Sequence, residues 1–262
     1  MTFAWEGFSL EHPEDWAPVA LTGKREEGYV RIASGSKLSL QVRWKDAPGT
    51  VDLDARLESY FEKLRQGFTK EKQPFSSRVT LGDLRREYKY SGGVQGRGVL
   101  LHVPEDGRVF FLELTTTARS DRPLQAFREI DSSFHAGEER WAVLGLDVRL
   151  PRPLKVERKT FLSGKTVLNL VGKGVRVEAQ RWGFGNELVE KHGLAEWAKA
   201  AATMPKAEVV ESEGAVALYQ RGTWVCAPTY AIVKHQEDRN QLAVLKVWSR
   251  RSEWRPMWDW LM

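Results

Sequence analysis

The feature that most constrains this chain is an internal echo. The stretch Gly7-Phe8-Ser9-Leu10-Glu11-His12-Pro13-Glu14-Asp15-Trp16 returns as Gly145-Leu146-Asp147-Val148-Arg149-Leu150-Pro151-Arg152-Pro153-Leu154, and Gly7 and Pro13 each precede their counterparts by 138 residues. Trp44 and Trp182 keep the same separation, and Leu21-Thr22-Gly23-Lys24 is echoed by Leu162-Ser163-Gly164-Lys165. Leu57 and Tyr60 pair with Leu194 and Trp197 at 137, and His102, Gly107, Arg122 and Pro123 pair with His235, Asn240, Arg255 and Pro256 at 133. Such a drift reflects short losses in surface connections, which tolerate them. The period is far longer than the ~20–50 residues of solenoid repeats. The chain therefore reads as a tandem duplication of two modules, residues 1–136 and 137–262.

Hydrophobic periodicity supplies the elements. Phe8, Leu10 and His12 alternate with polar neighbours as a half-buried strand, stopped by Pro13. Val19–Gly23 and Tyr29–Ala33 flank a charged turn, and Leu38–Trp44 keeps strict period two. From Asp52, a suitable N-cap, the residues Leu53, Leu57, Tyr60, Phe61 and Leu64 share one helical face, with Gly67 as the expected stop. Strands follow at 78–81, 84–90, 99–103 and 109–116. Val109–Leu114 and its counterpart Leu242–Leu245 are apolar on both sides, which suits a strand covered above and below. Asp121-Arg122-Pro123 opens a closing helix through Leu124, Phe127, Ile130 and Phe134, and Arg255–Trp260 is expected to do the same in the second module. The fold class expected from this order is α+β: two tandem copies of an antiparallel sheet flanked by helices, an α/β/α sandwich.

The form Gly-Phe-x-Leu-x-x-Pro-x-x-Trp, carried by Phe8, Leu10, Pro13 and Trp16 and again by Leu146, Val148 and Pro151, resembles the PsbP-like fold. That superfamily includes the extrinsic photosystem II protein and the yeast nuclear import factor that binds the GTPase Ran. The resemblance implies helices around a central antiparallel sheet, and a binding or assembly factor with no catalytic centre. Leu154 stands where the second copy would carry the tryptophan. Neither photosystem attachment nor Ran binding is carried over.

Charge divides unevenly. Residues 1–136 hold 20 Lys plus Arg against 20 Asp plus Glu, and residues 137–262 hold 20 against 15. The net charge of +5 therefore belongs to the second module, yet no basic stripe or nucleic-acid fingerprint accompanies it, so nucleic-acid binding is a minor alternative. One cysteine, Cys226 in an apolar run, excludes an internal disulfide framework. The start Met1–Glu6 shows no basic, apolar leader, and no stretch approaches the ~20 apolar residues of a membrane span. A cytoplasmic protein is expected.

The motifs that could carry chemistry each have a plainer structural reading. Gly164-Lys165-Thr166 lacks the upstream glycine of a phosphate loop, because Lys159 stands there, and it reads as a turn. Gly92–Gly98 leads into a strand rather than a helix, and reads as a flexible hairpin connection rather than a dinucleotide loop. His12, His102, His135, His192 and His235 show no metal-ligand spacing, and the pairs Glu26-Glu27, Glu138-Glu139 and Glu211-x-Glu213 read as surface charge. No catalytic residue, cofactor or metal is expected. The partner-binding candidates are Arg250, Arg251, Trp254, Arg255 and Trp258, since tryptophan and arginine dominate binding hot spots. The expected function is a non-enzymatic tandem module that binds another protein or its own copy. The alternative is a small-ligand binder or enzyme using a cleft between the modules.

Overall fold

The computed structural model describes residues 1–35, 37–118, 122–223 and 226–251, and the chain divides into two compact units, Met1–Glu138 and Glu139–Met262. The first opens with a hairpin of β1 (Thr2–Trp5) and β2 (Phe8–Glu11). Its two-residue turn, Glu6-Gly7, has φ values of 45° and 81°. Two positive φ values give the turn whose twist matches its flanking strands, and glycine accepts that conformation freely.

Strands β3 (Ala17–Lys24), β4 (Glu27–Ser34) and β5 (Leu38–Asp46) form a meander, and helix α1 (Leu53–Lys70) carries the chain across to the far edge. From there β6 (Ser76–Leu81), β7 (Arg85–Ser91), β8 (Gln95–Val103) and β9 (Arg108–Thr116) return until β9 pairs with β5. The product is a seven-stranded antiparallel sheet in the order β3-β4-β5-β9-β8-β7-β6. A 3-10 turn at Arg122–Ala126, α2 (Phe127–Ser132) and β10 (His135–Ala136), which pairs with β2, complete the unit.

Helix α1 begins where Asp52 accepts a hydrogen bond from the Ala55 N–H at 2.9 Å. It buries Leu53, Leu57, Phe61 and Phe68. Each such side chain stabilises by roughly 1.5–3 kcal/mol, whereas a mid-helix glycine costs about 1 kcal/mol. Phe68, stacked on Phe75 at 5.8 Å, therefore draws the helix through Gly67 to Lys70. Gly67 is not the stop expected from the sequence.

The second unit starts with the hairpin β11 (Arg140–Val143) and β12 (Leu146–Arg149), turned at Leu144-Gly145 with φ values of 50° and 80°. It continues through β13 (Lys155–Leu162), β14 (Lys165–Gly172), β15 (Val175–Gly183), α3 (Gly185–His192) and α4 (Leu194–Ala201). Then come β16 (Glu208–Ser212), β17 (Ala215–Gln220), β18 (Thr229–Gln236), a 3-10 turn and β19 (Gln241–Ser249). Its sheet runs β13-β14-β15-β19-β18-β17-β16, the same order as in the first unit. The crossover here is two short helices, broken at Gly193 with φ 71°.

The α/β/α sandwich expected from the sequence, and implied by the resemblance, is not what forms. Strand makes up 52% of the chain and helix 19%, so the fold is mostly β. In the first unit α1 covers one face, but the opposite face is covered mainly by the β1–β2 hairpin. Phe8 of that hairpin meets Trp44, Phe110 and Phe134 at ring separations of 5.2, 5.8 and 6.0 Å. The closing helix shrinks to the six residues of α2. Arg255–Trp260, its expected counterpart, lies outside the described residues. Among the described residues no helix is long and apolar enough to cross a membrane.

Candidate functional site

Alternation along β7 sends Tyr88 and Tyr90 to the face under α1, and their register partners on β8 are Gly98 and Gly96. A Cβ at Gly98 would lie 2.4 Å from Cζ of Tyr88, and one at Gly96 2.3 Å from Cζ of Tyr90. These two glycines are strand residues that make room for phenol rings. The Gly92–Gly98 stretch is thus a flexible connection only in its first part. One strand further on, β9 presents Glu113 to the same face. Its carboxylate accepts hydrogen bonds from the hydroxyls of Tyr60 on α1 at 2.6 Å, Tyr88 at 2.9 Å and Tyr90 at 3.3 Å.

Glu113 is 4% exposed. Burial raises its pKa above the usual carboxylate value, against the pull of the three hydroxyl donors and of Arg43. Burial also pushes all three tyrosines upward, with the Glu113 charge as the second cause. Shifted groups often mark functional sites. Here, however, the cavity beside the cluster, bounded by Gln41, Arg43 and Phe111, is too tight for a water molecule. The arrangement holds a proton or a charge still; it gives no substrate access to it. Gly98→Ala, whose Cβ would also press on the Leu112 carbonyl oxygen at 2.6 Å, is expected to destabilise the fold by about 1–3 kcal/mol through overpacking. Urea denaturation measures it, and an unchanged midpoint would mean that the glycine is not there to seat Tyr88.

Beyond this closed cluster the same sheet face opens. Helix α1 packs on β7 and β8, and beside it lies a groove of about 540 Å³ lined by Thr22, Tyr29, Arg43, Arg56, Trp44 and Phe111. The Arg43 guanidinium sits 5.8 Å from the Tyr29 ring centre and 5.9 Å from that of Tyr60, and donates to Gln41 Oε1 at 2.8 Å. Lys45, also on the groove, pairs with Glu27 at 3.2 Å. Among the described residues neither Arg43 nor Arg56 forms an ion pair, so the groove combines aromatic walls with two cations, Arg43 lying within the field of Glu113. Gly28, at the hairpin end, makes room for the Trp44 ring on the other face: a Cβ there would strike it at 2.2 Å.

In the second unit the position matching Glu113, 133 residues on, is Lys246. It occupies the same place in its sheet, between Glu178 on β15 and Ala231 on β18. Its ammonium donates to the Ala202 carbonyl at the C-terminal end of α4, where a cation suits the helix dipole, and it lies 4.5 Å from the Trp248 ring centre. Burial lowers its pKa, and Glu178 works in the other direction. A groove of about 720 Å³ nearby is lined by Glu157, Arg176, Glu178, Arg221, Cys226 and Trp248.

The residues singled out in the sequence fall elsewhere. Arg250 and Arg251 are exposed just past the end of β19, where the Arg251 N–H donates to Ser249 Oγ at 3.1 Å. Trp254, Arg255 and Trp258 lie outside the described residues. His102 is buried, and its Nε2 finds no partner among the described residues. His235 Nε2 is 2.7 Å from Asn186 Oδ1. Gly164, with φ 77°, turns the β13–β14 hairpin, and Lys165 lies 3.7 Å from the centre of the Trp182 ring. Among the described residues no three His, Cys, Asp or Glu side chains lie close enough to hold a metal ion. Glu113, Tyr88 and Tyr90 escape a reading of each strand alone; their signal in the sequence is Tyr-x-Tyr on one strand facing Gly-x-Gly on the next. No protein-family model matches this chain, and no curated protein sequence matches it.

Proposed function

We propose that this protein is a non-enzymatic tandem binding module, descended from a duplicated unit, and that the first unit receives an acidic, aromatic-bearing segment of a protein partner. The observation that carries this reading is the groove beside α1. Arg43, an exposed residue, is held between Tyr29 and Tyr60 with one donor on Gln41, and Arg56 adds a second cation. A guanidinium fixed by two rings offers forked donors to a carboxylate with little ordering left to do on binding. Phe111 and Tyr29, both partly exposed, supply apolar surface for a neighbouring ring. The shifted carboxyl, Glu113, lies sealed behind this groove and serves the scaffold rather than chemistry. The duplication rests on the common strand order of the two sheets. A reducing, cytoplasmic setting suits the exposed free thiol of Cys226.

The test is fluorescence anisotropy with labelled hexapeptides that combine Asp or Glu with one Phe or Tyr, alongside free aromatic carboxylic acids. Binding of the acidic peptides is expected, and Arg43→Glu should weaken it at least about tenfold, the loss of one charge-assisted contact. Arg43→Lys should retain part of it, because an ammonium lacks the planar fork. Preference for the free acids over every peptide would reassign the groove to a small molecule. No binding of either class would overturn the reading.

A further inference from the structure

On the face of the first sheet opposite α1, three cationic side chains stand in one row. Arg78 on β6 is the register partner of Lys89 on β7, and Lys89 is the partner of Arg97 on β8. Like charges directly opposite one another destabilise a strand pair, and here the conflict occurs twice in succession. Nothing relieves it: among the described residues none of the three forms an ion pair. Glu87, on the same face, is engaged by Arg85 at 3.2 Å. The Arg97 guanidinium is steadied 5.8 Å from the centre of the Phe127 ring of α2.

These side chains border a cavity of about 170 Å³, together with Thr80, Tyr88 and the Arg85-paired Glu87. That is below the ~300 Å³ at which pockets for drug-sized molecules begin, and of a size for one tetrahedral oxyanion with a water or two. Protection of the exposed edge strand β6 against stray pairing would explain charge at Arg78. It does not explain cations at the same register on two interior strands.

The second unit shows that the scaffold does not require them. Counting outward from the central strand, Arg97 is the partner of Leu114 on β9, and the equivalent Val247 on β19 pairs with Tyr230, then Tyr219, then Glu208. There the row is two stacked tyrosine rings 5.0 Å apart and a carboxylate.

We infer that Arg78, Lys89 and Arg97, with Thr80, form a binding site for a single phosphate monoester group, distinct from the groove that holds Arg43. A monoester carries about 1.5 to 2 negative charges at neutral pH, which matches three cations better than the single charge of a diester. Forked guanidinium donors from two sides and one ammonium suit its oxygens.

Isothermal titration calorimetry on the full chain at constant ionic strength tests this, with inorganic phosphate, glycerol 3-phosphate, a phosphoserine peptide and a single-stranded oligonucleotide as probes. One phosphate per chain is expected. Arg78→Gln and Lys89→Gln, both at exposed positions, should each weaken it about tenfold or more. Arg31→Gln, at an exposed position on β4, and Arg43→Glu should leave it unchanged, which separates this site from the groove. Tighter binding of the peptide than of glycerol 3-phosphate identifies a phosphorylated protein as the source, and the reverse identifies a small ester; either supports the site. Unchanged phosphate affinity in the Arg78→Gln, Lys89→Gln double variant overturns it. So does binding of the oligonucleotide alone, undisplaced by phosphate.

Discussion

Replacing Glu113 with leucine is expected to destabilise the protein by about 3–5 kcal/mol, because three tyrosine hydroxyls lose their common acceptor at once. Leaving a buried donor without a partner costs roughly 1–3 kcal/mol, and Tyr88 and Tyr90 are both buried beneath α1. Tyr60 is half-buried and can turn part of the way to water, which keeps the total below three full penalties. Glu113→Gln keeps an acceptor oxygen and should cost less. The two variants also separate in pH. Burial holds the Glu113 proton more tightly in the folded chain than the ordinary value of 4.5 would. The stability this supplies is fully present below pH 4.5 and is lost as pH rises through the elevated folded value. Relative to Glu113→Gln, the wild type should therefore weaken as pH climbs upward from 4.5. Urea denaturation of both proteins at a series of pH values gives the answer, and a constant difference between them would show that the carboxyl is not held in its raised state.

Arg108→Ala should cost a similar amount, about 3–5 kcal/mol, for a different reason. Arg108 is 1% exposed and forms an ion pair with Asp106, itself bonded by Arg25 at 3.4 Å. Its guanidinium donates to the carbonyl oxygens of Glu6 at 2.7 Å, Gly7 at 2.9 Å and Arg25 at 3.2 Å. One side chain thus fastens the β1–β2 turn and the β3–β4 turn to the start of the central strand. Alanine leaves a buried carboxylate with a weakened partner and two turns untied. Arg108→Lys cannot span the three carbonyls and should recover only part of the loss. Hydrogen exchange would localise the damage: faster exchange at Trp5–Phe8 is expected, and a uniform change across the unit would argue against the fastening role. The second unit manages the matching position with Gln241, which accepts from Arg181 at 2.9 Å.

Much of the sheet could be read from period two alone. The alternation from Leu38 to Trp44 is β5, and the doubly apolar Val109–Leu114 is the central strand, as such a strand must be to hide both faces. Asp52 announced the start of α1 by its capping chemistry. Layer composition was harder to read. Four-residue strands such as β1 leave only two apolar positions on a face, too few to register as periodicity, so half of the covering hairpin is invisible to pattern alone and a helix is expected in its place. Arg108 looks like a turn charge until the fold shows three carbonyls converging on it. Arg43, Tyr60 and Glu113 come from three separate elements, and only register brings them together. Arg250, Arg251, Trp254, Arg255 and Trp258 are residue types that favour interfaces, which says what a surface is made of and nothing about where it lies.

The contrast between Glu113 and Lys246 bears on how the chain finds its native pairing. Two look-alike halves translated in tandem are prone to exchanging strands with each other. Were β9 to slip into the berth of β19, its carboxylate would face Glu178 across the ladder, anion against anion, with no phenol within reach. Were β19 to take the berth of β9, its ammonium would enter the field of Arg43 and leave the tyrosines without an acceptor. Either mistake is penalised at the centre of the sheet, so the buried acid on one strand and the buried base on the other act as an address label that returns each strand to its own half.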